Sequence, residues 1–85
     1  MPGAAFDRYE IPDAKYLEHI RGRAVRVRSR RAGTRGEYEG VVDSPTQSGT
    51  LIFRSGRLGG PGAKVAALRH AREWALKHGL KPVEG

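Results

Sequence analysis

Apolar and basic side chains alternate along residues 23–30, and this period of two is typical of a half-buried β-strand. The two valines of this segment would face the core, while Arg26, Arg28 and Arg30 would face the opposite way. Two shorter segments with β-branched and aromatic residues follow, separated by a turn with two glycines and by a polar loop. The strands predicted from these patterns are residues 23–30, 37–43 and 50–55.

Two segments have the spacing and the boundary residues of helices. The first covers about residues 13–21, after Pro12, and ends before Gly22. The second covers residues 63–79 and is dominated by Ala and Leu, which favour helices. Its apolar stripe is predicted to comprise Val65, Leu68, Ala71 and Ala75, flanked by Trp74 and Leu76.

A consistent register follows if the three strands form two hairpins. The first hairpin would pair Arg30 with Glu37, and the second would pair Val42 with Leu51. The core face would then hold Val25, Val27, Tyr38, Val42, Leu51 and Phe53, with Gly40 leaving room for the Phe53 ring. The sequence therefore predicts an α+β fold with a short N-terminal helix, a three-stranded antiparallel β-sheet and a C-terminal α-helix packed on one sheet face.

The other face of the predicted sheet would be rich in charge. Glu39 would stand between Arg28 and Arg54, and Glu37 beside Arg30, as cross-strand ion pairs. Two interpretations of this face stay open, a surface that binds a polyanion and a solvated sheet held by ion pairs. The same face would expose one apolar pair, Val41 and Ile52.

At 85 residues the chain is long enough for one small domain. We expect a flexible N-terminal arm at 1–11, a single α+β domain at 12–80 and a C-terminal tail at 81–85. The absence of cysteine excludes disulfides, thiolate metal sites and cysteine nucleophiles, and favours a reducing compartment. No apolar run approaches the roughly 20 residues of a membrane span, and no secretory signal is visible. A cytoplasmic protein without membrane contact is expected.

The positive charge of the chain is concentrated in one segment. Lys and Arg number 16 against 9 Asp and Glu, a formal net charge of +7. Residues 21–36 hold seven arginines and no acidic residue. Because guanidinium groups bind phosphates in a bidentate manner, this segment predicts nucleic acid as the partner, DNA in preference to RNA. A genome rich in G and C would give the same arginine content without such a partner.

The candidate binding residues come from the Arg-rich strand, the hairpin loop, the third strand and the start of the second helix. At that start, Arg57 and Lys64 flank a glycine-rich connector, and the N-terminus of a helix attracts anions. The predicted nucleic-acid-binding residues are Arg26, Arg28, Arg30, Arg31, Arg35, Arg54, Arg57 and Lys64.

No residue pattern typical of catalysis is recognised. His70 and His78 would lie about 12 Å apart along one helix, too far to share a metal ion. The serines lack the His and Asp context of a hydrolase. We therefore expect no catalytic residue, no metal and no cofactor. A small ribonuclease that uses His19 and a strand carboxylate, as in some toxins, is the enzymatic alternative.

Two resemblances to known families accompany these patterns. The hairpin, third strand and following helix resemble the DNA-binding domains of ethylene-response factors and of integrase N-terminal arms. In those domains an Arg-rich sheet face enters the major groove, which implies this role for Arg26, Arg28, Arg30 and Arg54. Residues 16–54 also resemble the helix and first three strands of Sm-like RNA-binding barrels, at Gly40 and Asp43 in particular.

A binding protein of a different class is the alternative function. The chain would then be a small phage- or plasmid-type accessory or inhibitor protein that docks on an acidic protein partner without catalysis. Val41 and Ile52 would form its apolar anchor, and the same pair would join two copies if the chain is a homodimer rather than a monomer.

Overall fold

The computed structural model describes residues 8–33 and 35–85. Within them, five strands form one mixed sheet in the order β1-β4-β3-β2-β5, accompanied by two helices. In chain order, the elements are β1 (Tyr9–Glu10), α1 (Ala14–Ile20), β2 (Ala24–Arg31), β3 (Tyr38–Asp43), β4 (Leu51–Arg54), α2 (Ala63–Lys77) and β5 (Lys81–Glu84).

The predicted three-stranded antiparallel sheet is wrong, because further strands extend it at both edges. Strand β1 pairs antiparallel with β4 and places Tyr9 opposite Arg54. Strand β5 pairs parallel with β2 and places Lys81 opposite Ala24, an arrangement that requires the crossover made by α2. Segments expected to be an arm and a tail thus supply the edge strands, although residues 1–7 lie outside the described residues. The five-stranded mixed sheet also differs from the three strands and following helix on which the first resemblance was drawn.

Both helices lie where the sequence predicts them, to within two residues at each end. Helix α1 begins at its cap, Asp13, whose Oδ1 accepts hydrogen bonds from the backbone N–H groups of Lys15 at 3.0 Å and Tyr16 at 3.1 Å. The predicted apolar stripe of α2 is partly wrong, because Val65 and Leu76 are exposed. The buried residues of α2 are Ala63, Ala67, Ala71, Trp74 and Ala75.

In both central hairpins the pairing partner lies two residues further along the chain than predicted. Strand β2 pairs Arg30 with Glu39, and β3 pairs Val42 with Phe53. A shift of two residues preserves the face to which every side chain points. For this reason the division into an apolar and a charged face survives the error in register, except at the start of β4, where Leu51, predicted on the core face, pairs with Asp43.

Helix α2 approaches the sheet closely at Gly40. A Cβ atom at Gly40 would overlap the backbone carbonyl oxygen of Ala67, so the glycine makes room for the helix rather than for the Phe53 ring. Phe53 instead stacks on Trp74, with ring centroids 5.0 Å apart. Small residues on α2 and the glycine on β3 together allow this close contact.

The predicted exposed apolar pair does not exist. Val41 is buried between its cross-strand neighbours Arg28 and Arg54. The pairing of β3 with β4 shifts after Val42, so that Ile52 is an additional residue in β4 and lies within the core cluster. The bulge therefore explains why Ile52 is fully buried, where regular alternation predicts exposure.

Helix α1 lies beside the C-terminal end of α2. Its last residue, Ile20, is fully buried in the core cluster, and the N–H of Gly22 donates to the carbonyl of Gly79 at 2.8 Å. Neither described helix is long and apolar enough to cross a membrane.

Candidate nucleic-acid interface

The sheet surface opposite α2 carries most of the charged strand residues. Gly40 faces α2, so the residues adjacent to it in β3 face the other way, and each cross-strand partner shares the face of its neighbour. We call this surface the open face. It is formed by Tyr9, Ala24, Arg26, Arg28, Arg30, Glu39, Val41, Asp43, Leu51, Arg54, Lys81 and Val83.

A buried carboxylate lies at the centre of the open face. Glu39 is only 2% exposed, and its two oxygens accept hydrogen bonds from Arg54 Nε at 3.0 Å and Arg30 Nε at 2.8 Å. Burial alone would raise the pKa of Glu39, but the hydrogen bonds from both arginines outweigh it and hold the pKa below its ordinary value. The pairing with Arg54 is as predicted, whereas Arg30 takes the place expected for Arg28.

Arg28 is held by a second carboxylate, at the end of β3. Its Nε and Nη2 donate to the two oxygens of Asp43 at 3.0 and 2.9 Å, a bidentate pair. The side chains of Arg28 and Asp43 are 28% and 21% exposed, so this pair is partly shielded from water. The sequence did not predict it, because the predicted register places Asp43 opposite Ala24, and the observed shift of two residues brings Asp43 closer to Arg28.

These carboxylates orient the arginines without using all of their donors. Arg30 engages Glu39 through Nε, and Nη1 of Arg28 has no hydrogen-bond partner among residues 8–33 and 35–85. Five basic and two acidic side chains share the described open face, so it keeps a net positive charge. The arrangement is suited to a ligand that accepts hydrogen bonds and carries negative charge.

The edge strands add two residues that were not among the predicted binding residues. Lys81 joins the open face because β5 pairs in parallel with β2. Tyr9 is 41% exposed and stands opposite Arg54 on β1. The sequence gives no clear signal for either edge strand, because the four residues of β5 do not alternate and the two residues of β1 are too few to show a period.

Half of the predicted binding residues lie outside the open face. Arg31 follows Arg30 in β2 and therefore points to the α2 side, and Lys64 is an exposed residue of α2 itself. Arg35 is exposed in the turn between β2 and β3. Arg57 lies in the connector after β4, with its Nη1 3.8 Å from Oε1 of Glu37. The open face includes Arg26, Arg28, Arg30 and Arg54.

The described residues include no group of three or more His, Asp or Glu side chains that could hold a metal ion. No protein-family model, curated protein or solved structure matches the chain. The geometry of the open face is therefore the basis for any assignment of function.

Proposed function

We propose that this chain is a small nucleic-acid-binding module, with DNA preferred to RNA, that acts in the cytoplasm without catalysis. The observation that carries the proposal is the pair of open-face arginines Arg28 and Arg30, which the carboxylates of Asp43 and Glu39 hold in position without using all of their N–H donors. Ordered guanidinium groups lose less conformational freedom when they bind a phosphate than free side chains do.

The spacing of the arginines supports phosphates as the groups that they contact. Arg26, Arg28 and Arg30 occupy every second position of β2, about 6.6 Å apart. Successive phosphates of a nucleic-acid strand have a similar separation. One strand lying along β2 would therefore meet one guanidinium for each phosphate, and Tyr9 offers an exposed ring on which a base can stack.

The alternative function, docking on an acidic protein, loses its main support. Its apolar anchor was Val41 and Ile52, and both are 0% exposed. The exposed large apolar side chains lie apart from one another, with Val83 on β5, Val65 and Leu76 on α2, and Tyr9 on β1. Within residues 8–33 and 35–85, no exposed apolar cluster remains to serve as the anchor of a protein partner.

Two double variants test the proposal. The variant Arg26→Gln with Lys81→Gln removes two charges from the open face, and Arg31→Gln with Lys64→Gln removes two from the α2 side. Affinity for duplex DNA, single-stranded DNA and single-stranded RNA is measured by fluorescence anisotropy over a range of salt concentrations. We expect the first variant to bind more weakly and to reduce the slope of log K against log salt by about 2, while the second stays close to the wild type.

Equal losses of affinity in the two variants would show that binding depends only on total charge. That result would overturn the assignment of the binding site to the open face. Binding of the wild-type chain that disappears at physiological salt for all three ligands would overturn the function itself. Tighter binding of RNA than of DNA would correct the preference for DNA and leave the site in place.

A further inference from the structure

A polar cleft of about 590 Å³ opens at one end of the open face. One side is formed by Arg26 and Arg28 of β2, and the other by the loop that joins β3 to β4. This loop covers residues 44–50 and supplies Ser44, Thr46 and Ser48 to the cleft.

The loop is held in place by helix α1. The hydroxyl of Tyr16 lies 2.6 Å from Oγ of Ser44 and 2.8 Å from Oγ1 of Thr46. Oγ of Ser44 also accepts hydrogen bonds from the backbone N–H groups of Thr46 at 3.1 Å and Gln47 at 2.9 Å. The wall of the cleft therefore exists before any ligand binds, which lowers the entropic cost of binding.

The charges around the cleft favour an anion. Arg28 is neutralised in part by Asp43, which also fixes the plane of its guanidinium group. Arg26 has no ion-pair partner within the described part of the chain, and its side chain rests against the backbone of Gly85. The cleft thus offers two guanidinium groups against one carboxylate, together with the hydroxyl of Ser48. A tetrahedral oxyanion in the cleft would accept hydrogen bonds from the guanidinium groups on one side and from the hydroxyl of Ser48 on the other.

We propose that this cleft is a phosphate-binding subsite. Its occupant is one phosphate group of the nucleic-acid strand on the open face, bound by the forked donors of Arg26 and by Ser48. This identification of the occupant rests on the proposed function. A phosphate bound here would anchor the nucleic-acid strand at one end of β2. The loop lies beside the path that the nucleic acid would follow along β2.

The first test uses inorganic phosphate, so that it does not depend on nucleic-acid binding. The ¹⁵N-labelled chain is titrated with phosphate at constant ionic strength and followed by NMR, as wild type, Arg26→Gln, Arg26→Lys and Arg31→Gln. Arg31 is the matched control, because it lies on the same strand, is also exposed and points to the other side of the sheet.

We expect the amide shifts to concentrate in residues 44–49 and in the first half of β2. Arg26→Gln should weaken phosphate binding about tenfold, Arg26→Lys should weaken it less because the charge remains, and Arg31→Gln should leave it unchanged. Shifts spread evenly over the surface, or equal losses in Arg26→Gln and Arg31→Gln, would overturn the proposal. The dispersion of each spectrum shows whether the variant is folded.

The second test identifies the source of the phosphate. Single-stranded oligonucleotides with a 5′-phosphate, a 3′-phosphate or no terminal phosphate are compared on the wild type and on Arg26→Gln. A terminal preference that Arg26→Gln abolishes identifies a phosphomonoester, and equal affinities that Arg26→Gln lowers together identify an internal phosphodiester. Phosphate binding without oligonucleotide binding would keep the subsite and refute the proposed function, whereas oligonucleotide binding that Arg26→Gln does not change would refute the subsite alone.

Discussion

Glu39 is the one buried charged side chain of the described residues, and it lies on a surface that no helix covers. Its burial comes from the arginines around it, since their aliphatic stems cover the sheet while their charged ends reach its carboxylate. Removing one member of such a group leaves the remaining charges without partners, which is more costly than the net stabilisation by the intact group. Glu39 therefore orders Arg30 and Arg54 for a ligand and holds the central strands together.

We expect Glu39→Gln to lower the free energy of unfolding by about 2 kcal/mol, because two arginines lose their charge-assisted hydrogen bonds. Urea denaturation at pH 7 measures this loss, with the exposed Glu73→Gln as a control that should change stability little. The pKa of Glu39 is lower in the folded chain, so its contribution is complete above the ordinary value of 4.5 and is lost as the pH falls through the folded value. The difference between wild type and variant should therefore shrink in acid, and a difference independent of pH would contradict this account.

The carboxylate of Glu10 attaches strand β1 to α2. Oε1 of Glu10 accepts a hydrogen bond from Nε1 of Trp74 at 2.8 Å, and this bond is the main reason why the pKa of Glu10 lies below its ordinary value. Arg8 also contacts Glu10, with Nη2 at 3.2 Å, and Nε2 of His78 lies 3.9 Å away. Protonation of Glu10 would weaken all three contacts.

The single tryptophan makes this attachment measurable. As the pH falls below 4.5, through the lowered pKa of Glu10, Trp74 emission should change before the far-UV circular dichroism signal is lost. The change comes with acid because Trp74 and Arg8 stabilise the ionised form of Glu10, which is the form present at higher pH. Glu10→Gln should lack the step, and an identical step in that variant would assign the change to another group.

At the scale of the elements, the main feature is the close contact between α2 and β3. The helix lies so close to Gly40 that its Ala67 carbonyl occupies the space of a side chain. Local signals in the sequence were sufficient to place both helices and the three central strands. They were insufficient for the register, because the competing alignments differ by two residues and give the same alternation of faces.

Gly40→Ala tests this contact. The added methyl group must push α2 away from the sheet, and we expect a loss of at least 2–3 kcal/mol in the free energy of unfolding, about the upper range for overpacking of a core. Gly59→Ala is the matched control, since a Cβ there meets only ordinary contacts, 3.6 Å from Cγ of Glu37 at the closest. Similar midpoints of thermal denaturation for both variants would show that α2 adjusts easily.

Sequence reasoning at this scale also missed β1, β5 and the bulge at Ile52. The edge strands are short, and their partners lie far away in the chain, so no local pattern reveals which strand they join. The bulge places Ile52 in the core against the regular alternation on which the prediction of an exposed apolar pair relied.

At the scale of the whole molecule, the two faces of the sheet have different roles. One face, under α2, holds the aromatic and aliphatic core, while the other holds the charged residues that we propose as the binding surface. The candidate residues on the central strands could be predicted because alternation alone assigns them to a face. Those in loops and on α2 could not, because composition reveals charge but not the side of the molecule on which it lies. Lys81 and Tyr9 reach the open face only through the edge strands.

The parallel pairing of β5 with β2 has a consequence for the kinetics of folding. Both antiparallel hairpins can form early from neighbouring segments, but β5 can reach β2 only after α2 has crossed the sheet. Until then the outer edge of β2 offers unpaired backbone groups to any other chain. The slowest step of folding is thus expected to be the arrival of the last strand, and the nascent chain is most prone to aggregation while β2 remains an edge.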